Sequence, residues 1–204
     1  MTNEFSYFLP QNQQVASDEM ALISAAQAGD LDSFNCLVLA YQNLVYNQAY
    51  RVLGERFAAD DATQQAFISA FRKLSSFRGG SFRCWLLRIV TNVCYDEIRR
   101  HKRHPTSSLE LQNELGEEIE SPKWMVDPGE LPEEKLARVE LARTIQGCID
   151  KLPLKFRLIV VLIDIQGMNY AETAEILGLP LGTVKSRLAR ARARLCLCLQ
   201  GNLL

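Results

Sequence analysis

Between Tyr170 and Leu195 the chain reads YAETAEILGLPLGTVKSRLARARARL: a short helical pattern stopped by Gly178, a Leu179-Pro180 turn, then a longer basic helical pattern. A glycine past the last periodic residue with a proline close behind ends one helix and lets another begin at a sharp angle. That order of signals is the grammar of a helix-turn-helix. On the second helix Val184, Leu188, Ala191 and Leu195 recur at helical spacing and face inward, leaving Lys185, Ser186, Ala189 and Arg190 outward. Small Ala174 suits the close approach of the two helices. From Leu181 to Leu204 the chain carries Lys185, Arg187, Arg190, Arg192 and Arg194 and no Asp or Glu. Such a surface fits duplex DNA, whose phosphates the cations match while the helix reads base edges in the major groove. A three-helix bundle with a solvated cationic face is the alternative; the turn and the absence of acids favour DNA.

The formal net charge of -1 conceals this segregation. A second basic run, RRHKRH, spans Arg99 to His104, and the stretch that follows is rich in glutamate, with Glu110, Glu114, Glu117, Glu118 and Glu120. The charge therefore runs basic, acidic, basic, and its distribution rather than its sum bears on a nucleic-acid partner.

The rest of the chain is helical too. Helices are predicted over Asp18–Ala28, Asp32–Leu53, Ala58–Leu74 and Phe82–Arg100, the first stopped by Gly29 and the second by Gly54. Within the second, Phe34, Leu37, Val38, Tyr41, Val45 and Val52 keep helical spacing. A later group is predicted at Glu134–Asp150, Leu154–Ile165, Tyr170–Leu177 and Leu181–Leu199, and no strand pattern competes. Between the groups Pro105, Pro122, Pro128, Pro132 and the glutamates interrupt any periodicity. The expected fold class is all-α: a polar tail at 1–17, a helical domain at 18–104, an acidic flexible linker at 105–132 and a second helical domain at 133–204. A chain of 204 residues accommodates two small cores of this kind.

The stretch SSFRGGSFRCWLLRIVTN, Ser75 to Asn92, sets aromatic rings and arginines around two glycines. On the helix that follows, Trp85, Leu86, Ile89, Val90 and Val93 cluster inward while Arg88, Asn92, Tyr95 and Arg99 line the outside. Guanidiniums suit phosphates, an amide hydrogen-bonds a base edge, and rings stack on unpaired bases. Phe77, Arg78, Gly79, Gly80, Ser81 and Phe82 are read as a loop that accepts an unstacked base, the glycines allowing close backbone approach. Phe82 and Trp85 sealing the core is the competing reading. On the helix before the loop, Thr63, Phe67, Ala70, Phe71 and Leu74 are expected to face the core. Asp61, Gln64, Gln65, Ile68 and Arg72 form the opposite, polar stripe, which alone reads as solvated.

Catalytic and metal sites are not expected. The carboxylates show no catalytic pairing, and there is no Walker-type glycine loop and no Cys/His ligand spacing, so cofactors are expected to be none. The six cysteines are read as reduced, mostly packed thiols of a cytoplasmic protein. The N-terminus lacks a basic n-region and an apolar h-region, and no run approaches membrane-spanning length, so no membrane insertion is expected.

The segment DDATQQAFISAFRKLSSFRGGSFRCWLLRIVTNVCYDEIRRHKR resembles region 2 of bacterial RNA polymerase sigma factors, and LPLKFRLIVVLIDIQGMNYAETAEILGLPLGTVKSRLARARARL resembles region 4. With only these two regions and a short linker, the chain resembles an extracytoplasmic-function sigma factor over about Asp18 to Leu199. The resemblance implies a non-enzymatic initiation factor whose partners are the polymerase core (the beta-prime clamp helices and the beta subunit), promoter DNA and an anti-sigma factor. It implies core docking through Asp61, Gln64, Gln65, Phe67 and Ile68, where Gln65 stands in place of the family's usual Glu. Minus-ten recognition and melting would fall to Phe77, Arg78, Ser81, Phe82, Arg88, Asn92, Tyr95 and Arg99. Minus-thirty-five recognition would fall to Thr183, Lys185, Ser186, Arg187, Ala189 and Arg190. The rival readings are a stand-alone helix-turn-helix regulator and a sigma-like interaction protein.

Overall fold

In a computed structural model that describes residues 13–103 and 132–202, every regular element is helical. Helices α1 (Gln13–Gln27), α2 (Leu31–Leu53), α3 (Arg56–Lys73) and α4 (Phe82–Arg103) form the N-terminal bundle. Helices α5 (Pro132–Asp150), α6 (Leu154–Val160), α7 (Tyr170–Leu177) and α8 (Leu181–Asn202) form the C-terminal group, with α6 running on into a wider π turn at Val161–Ile165. Residues 104–131, which hold the glutamates of the expected linker, and residues 1–12 of the expected tail lie outside the described residues. Helix α1 already includes Gln13 to Ser17 of the expected tail, a stretch with neither glycine nor proline to break it.

Local chemistry sets the helix ends. The Asp30 carboxylate accepts from the Asp32 amide at 3.2 Å and from the Ser33 hydroxyl at 2.5 Å, capping α2. Glu55 does the same for α3, accepting from the amides of Phe57 at 2.9 Å and Ala58 at 2.8 Å. At α7, Asn169 and Glu172 form a reciprocal capping box.

The core side of α3 meets expectation at Ala70 and at its C-cap Leu74, both buried, and differs elsewhere. Ala59, Ala62, Ala66 and Ala70 are the buried positions, whereas Phe71 is 43% exposed and Phe67 half-buried. Helices α2 and α4 both pack on α3, and a stripe of alanines lets the backbones come close where phenylalanine would hold them apart. From α2, Leu37, Val45, Ala49 and Val52 fill the centre; from α4, Phe82, Leu86, Leu87 and Val90 meet them. A buried Gln48 amide donates to the Thr91 hydroxyl at 3.3 Å across that packing.

Two helical domains are present, but their cores are not separate. Ile149, Leu158, Val161, Leu162, Met168 and Ile176 of the C-terminal group join the N-terminal core, and a second, smaller cluster belongs to the C-terminal helices alone. Polar contacts secure the boundary: Arg51 donates to the Gln146 side chain at 2.9 Å, Arg157 to the Val52 carbonyl at 2.6 Å, and Arg83 to the Gln166 carbonyl. Gly54, at φ +78°, sits where an added Cβ would lie 2.7 Å from the Asp150 carboxylate, so both backbone and space require glycine.

The cysteines are not all reduced. Cys148 of α5 and Cys198 of α8 form a disulfide with a Cα–Cα distance of 5.8 Å. Their separation of 50 residues hides the pair from any spacing rule; the packing of α5 on α8 brings them together. Closing a loop of that length contributes roughly 4 kcal/mol in the chain-entropy account. Cys36, Cys84, Cys94 and Cys196 are free, and burial pushes the Cys94 thiol up to about 12.

Candidate nucleic-acid interface

Helix α4 has two sharply different sides. Burial of Leu86, Leu87, Ile89, Val90 and Cys94 fixes its rotation, and Arg88, Asn92, Tyr95 and Arg99 consequently emerge together on the exposed side. The Arg99 guanidinium lies 5.9 Å from the centre of the Tyr95 ring. Of the two acids on this helix, Glu97 pairs with Arg100 at 2.7 Å and with His101 at 3.2 Å, and Asp96 is exposed.

The preceding loop is anchored at both ends. The Gln27 side-chain amide donates to the Leu74 and Phe77 carbonyls, both at 2.9 Å, and the Ser81 hydroxyl accepts from the Cys84 amide at 3.2 Å, which caps α4. Between these anchors Gly79 and Gly80 adopt φ of +98° and +89°, a reversal only glycine makes without strain. Arg78, Gly79, Gly80 and Ser81 are exposed.

The aromatic residues of the loop do not form the expected stacking surface. Phe77 is 8% and Phe82 2% exposed; their rings pack edge to face at 5.5 Å, and both lie against Trp85. Phe82 also meets Tyr41. Each ring gains about 2–3 kcal/mol from burial, and the glycines between them let the chain bend so that both reach the core. Tyr95, 45% exposed, is the ring left open beside Arg88 and Asn92.

On α8 the inward residues are those expected: Val184, Leu188 and Ala191 are buried and Leu195 is half-buried. Lys185, Ser186, Ala189 and Arg190 are exposed, and Thr183 and Arg187 are half-buried. The cations differ in how they are held. Lys185 lies 5.9 Å over the Tyr170 ring, Arg194 lies 5.2 Å over Phe156, and Arg192 pairs with Asp164 at 2.5 Å. Arg187 and Arg190 make no ion pair or side-chain hydrogen bond with any described residue. The support that Tyr170 gives Lys185 went unnoticed in the sequence, although the two lie near the starts of α7 and α8.

Asp61, Gln64, Gln65 and Ile68 are exposed on α3, with Phe67 half-buried among them. This stripe borders an open groove of about 560 Å³ floored by Leu31, Phe34 and Val38 of α2 with Phe67, Ile68 and Phe71 of α3. Gln64 and Arg72 stand at its rim, and Phe34 meets Phe71 edge to face at 4.9 Å. Of the two phenylalanines assigned to the core by periodicity, Phe71 lines this groove instead, and Phe67 both packs against the core and lines the groove.

Known proteins share this layout. Residues 37–104 match the family described as Sigma-70 region 2, and residues 142–195 match that described as Sigma-70, region 4. The chain is 38% identical over 174 residues to the ECF RNA polymerase sigma factor SigW of Bacillus subtilis, which covers 85% of this chain and 92% of that protein. It is 35% identical over 175 residues to the ECF RNA polymerase sigma-E factor of Escherichia coli, covering 85% and 90%. Among solved structures, CnrH in complex with the cytosolic domain of CnrY is similar at a TM-score of 0.64 and 28% identity, covering 90% of this chain and 98% of that one. The sigma factor RpoE of Bartonella quintana, solved with the anti-sigma factor NepR, is similar at 0.61 and 27%, covering 83% and 98%. Both sigma regions occur here in order, each carrying its exposed polar helix face, and the chain belongs to the ECF sigma factors of RNA polymerase.

Proposed function

We propose that this sigma factor joins the polymerase core through α3, reads the minus-thirty-five element with α8, and captures and opens the minus-ten element with α4 and the loop before it. The observation that carries the reading is the exposed row Arg88, Asn92, Tyr95 and Arg99 beside a glycine loop, on a chain whose helix-turn-helix also carries Arg187 and Arg190, neither of them paired with any described residue. Guanidiniums of Arg78, Arg88 and Arg99 hold phosphates, the Asn92 amide reads a base edge, and Tyr95 offers its face to an unstacked base. A base on an aromatic ring gains about 1–3 kcal/mol, comparable to the stacking it gave up in the duplex, so binding energy offsets strand opening. No residue here performs bond chemistry; the polymerase does. On α8, Lys185, Ser186 and Arg190 face base edges while Thr183, Arg187 and Ala189 flank them.

The docking partner of α3 is the beta-prime clamp, whose side chains enter the groove beside Asp61, Gln64 and Gln65. The two solved relatives were captured with CnrY and with an anti-sigma factor, which supports an anti-sigma partner for this chain and, with the polymerase, a cytoplasmic site of action. Residues 18–104 act as the core- and minus-ten-binding domain and 133–204 as the minus-thirty-five-binding domain. No helix among the described residues is long and apolar enough to cross a membrane.

Run-off transcription with purified core polymerase on genomic fragments tests the proposal directly. Discrete starts that depend on this protein are expected, with Asp61→Arg combined with Gln64→Ala abolishing co-purification with core. Specific duplex binding without any polymerase-dependent transcript would replace it with the stand-alone regulator.

A further inference from the structure

We infer that the Cys148–Cys198 pair is a reversible thiol–disulfide site that controls how firmly the far end of the recognition helix α8 is held, with glutathione-class thiols or a protein dithiol as its reductant. Three observations carry it. Beyond Ala191 no residue of α8 up to Gly201 is buried: Leu195 and Cys198 are half-buried and Leu197 is 71% exposed. The disulfide to α5 is therefore the one covalent anchor of a stretch that packing alone holds weakly. Second, the cluster belonging to the C-terminal helices alone takes its buried residues on α8 from Val184, Leu188 and Ala191, with Leu195 half-buried against it, and the contacts of Arg192 to Asp164 and of Arg194 to Phe156 also precede Leu195, so past that residue little but the disulfide restrains the helix. Third, the two sulfurs are unequally reachable, Cys148 being 1% exposed and Cys198 half-buried near the helix end. Disulfides in a thiol-rich compartment are mostly transient or redox-responsive rather than structural. That compartment rests on the sigma-factor proposal above.

The exchange balances without any further reactant. An external thiolate attacks the Cys198 sulfur, forming a mixed disulfide and expelling Cys148 as a thiolate, which takes up a proton. A second thiolate of the reductant then attacks its own sulfur in the mixed disulfide and releases Cys198. The reductant leaves as a disulfide, two electrons oxidised, and its oxidised form drives the reverse sequence. Cys196 is exposed but lies two residues along the helix, on the side opposite Cys198, and takes no part. Buried Cys94 is shielded from exchange.

Loss of the bond frees the last turns of α8 while the N-terminal core, which contains neither cysteine, stays intact. The N-terminal half of α8 then rests on three buried residues, and minus-thirty-five affinity falls several-fold on reduction. Core docking through α3 is unchanged.

The full chain is equilibrated in mixtures of reduced and oxidised glutathione, and free thiols are trapped with a maleimide and mapped. Cys148 and Cys198 are expected to become labelled together at an intermediate ratio, with Cys196 labelled throughout. Amide exchange of residues 192–202 should accelerate in the reduced protein and in Cys148→Ser with Cys198→Ser, and stay slow in Cys196→Ser. Reduced wild-type protein provides the same comparison if the double variant misfolds. A bond that stays closed, or never forms, across the glutathione range overturns the inference, as does equal exchange of α8 in the two states. Minus-thirty-five binding of the polymerase-bound protein is measured alongside. If it is absent in both states while labelling and exchange respond as expected, the promoter reading fails and the redox site stands.

Discussion

Helices α4 and α8 each run for 22 residues with a polar, exposed side, yet α4 buries Phe82, Leu86, Leu87, Ile89, Val90, Thr91 and Cys94 where α8 buries Val184, Leu188 and Ala191. The first is a wall of the larger core that happens to show cations on its reverse. The second is a projecting lever, held near its start by a small cluster and near its end by a disulfide. Similar outward chemistry thus rests on different mechanical support. Changes behind the α4 surface should register first as folding defects, and changes on α8 first as binding defects.

The largest expected effect compares a leucine on each helix. Leu86→Ala removes a fully buried side chain from the shared core and should cost roughly 3–5 kcal/mol, whereas Leu188→Ala, in the smaller cluster with more room to relax, should cost about 2–3 kcal/mol. Urea unfolding followed by circular dichroism measures both. A larger loss for Leu188→Ala would break the contrast. Next, Phe77→Ala should lower stability by about 3 kcal/mol, since the ring is packed against Phe82 and Trp85. Tyr95→Ala, by contrast, should leave the midpoint nearly unchanged and reduce open-complex yield, the loss being recovered on a pre-melted template. Equal stability of Phe77→Ala and wild type would return that ring to the DNA-facing loop.

The boundary between the domains offers an intermediate effect. Gly54→Val places a β-branched residue at positive φ and drives its Cβ into Asp150, at a cost of about 1–3 kcal/mol. The Arg157–Asp150 pair, at 3.6 Å, and the Arg51 contact to Gln146 lie beside that point. Because the domains share one core, wild type should unfold in one transition and Gly54→Val should split it into two by calorimetry. A single, uniformly shifted transition would mean that the shared core outweighs this contact.

Much of this organisation was legible from local signals. Gly54 and Gly178 stop helices in the sequence and cap them in the fold, and the i, i+3, i+4 pattern placed Val184, Leu188 and Ala191 inward correctly. The misreadings share a physical cause. Periodicity weighted Phe67 and Phe71 above Ala62 and Ala66, but helices packing closely on two sides favour the smallest side chains, a constraint set by neighbours rather than by α3 itself. Phe77 and Phe82 flank glycines in sequence, and only the bend at Gly79 and Gly80 shows that both rings reach one core. The disulfide joins residues whose sequence surroundings contain no sign of each other.

The smallest effect tests whether the cations of α8 divide into readers and braces. Arg190 has no partner among the described residues, so Arg190→Ala should leave stability unchanged and cost roughly 1–3 kcal/mol of promoter binding if it makes a bidentate base contact, with relaxed preference at one position of the minus-thirty-five element. Arg192 donates twice to Asp164 on the turn after α6, at 3.2 and 2.5 Å, and this pairing raises its pKa above the usual arginine value. The pair is partly exposed, so Arg192→Ala should cost at most about 1 kcal/mol of stability, an effect that shrinks as salt is added. Asp164→Ala separates the two roles. If Arg192 only braces α8 against the turn, both substitutions weaken stability equally and leave base preference untouched. If Arg192 also reaches phosphate, releasing it from Asp164 strengthens duplex binding at low salt while Arg192→Ala weakens it, and the division between readers and braces moves past Arg192, two residues along the helix from Arg190.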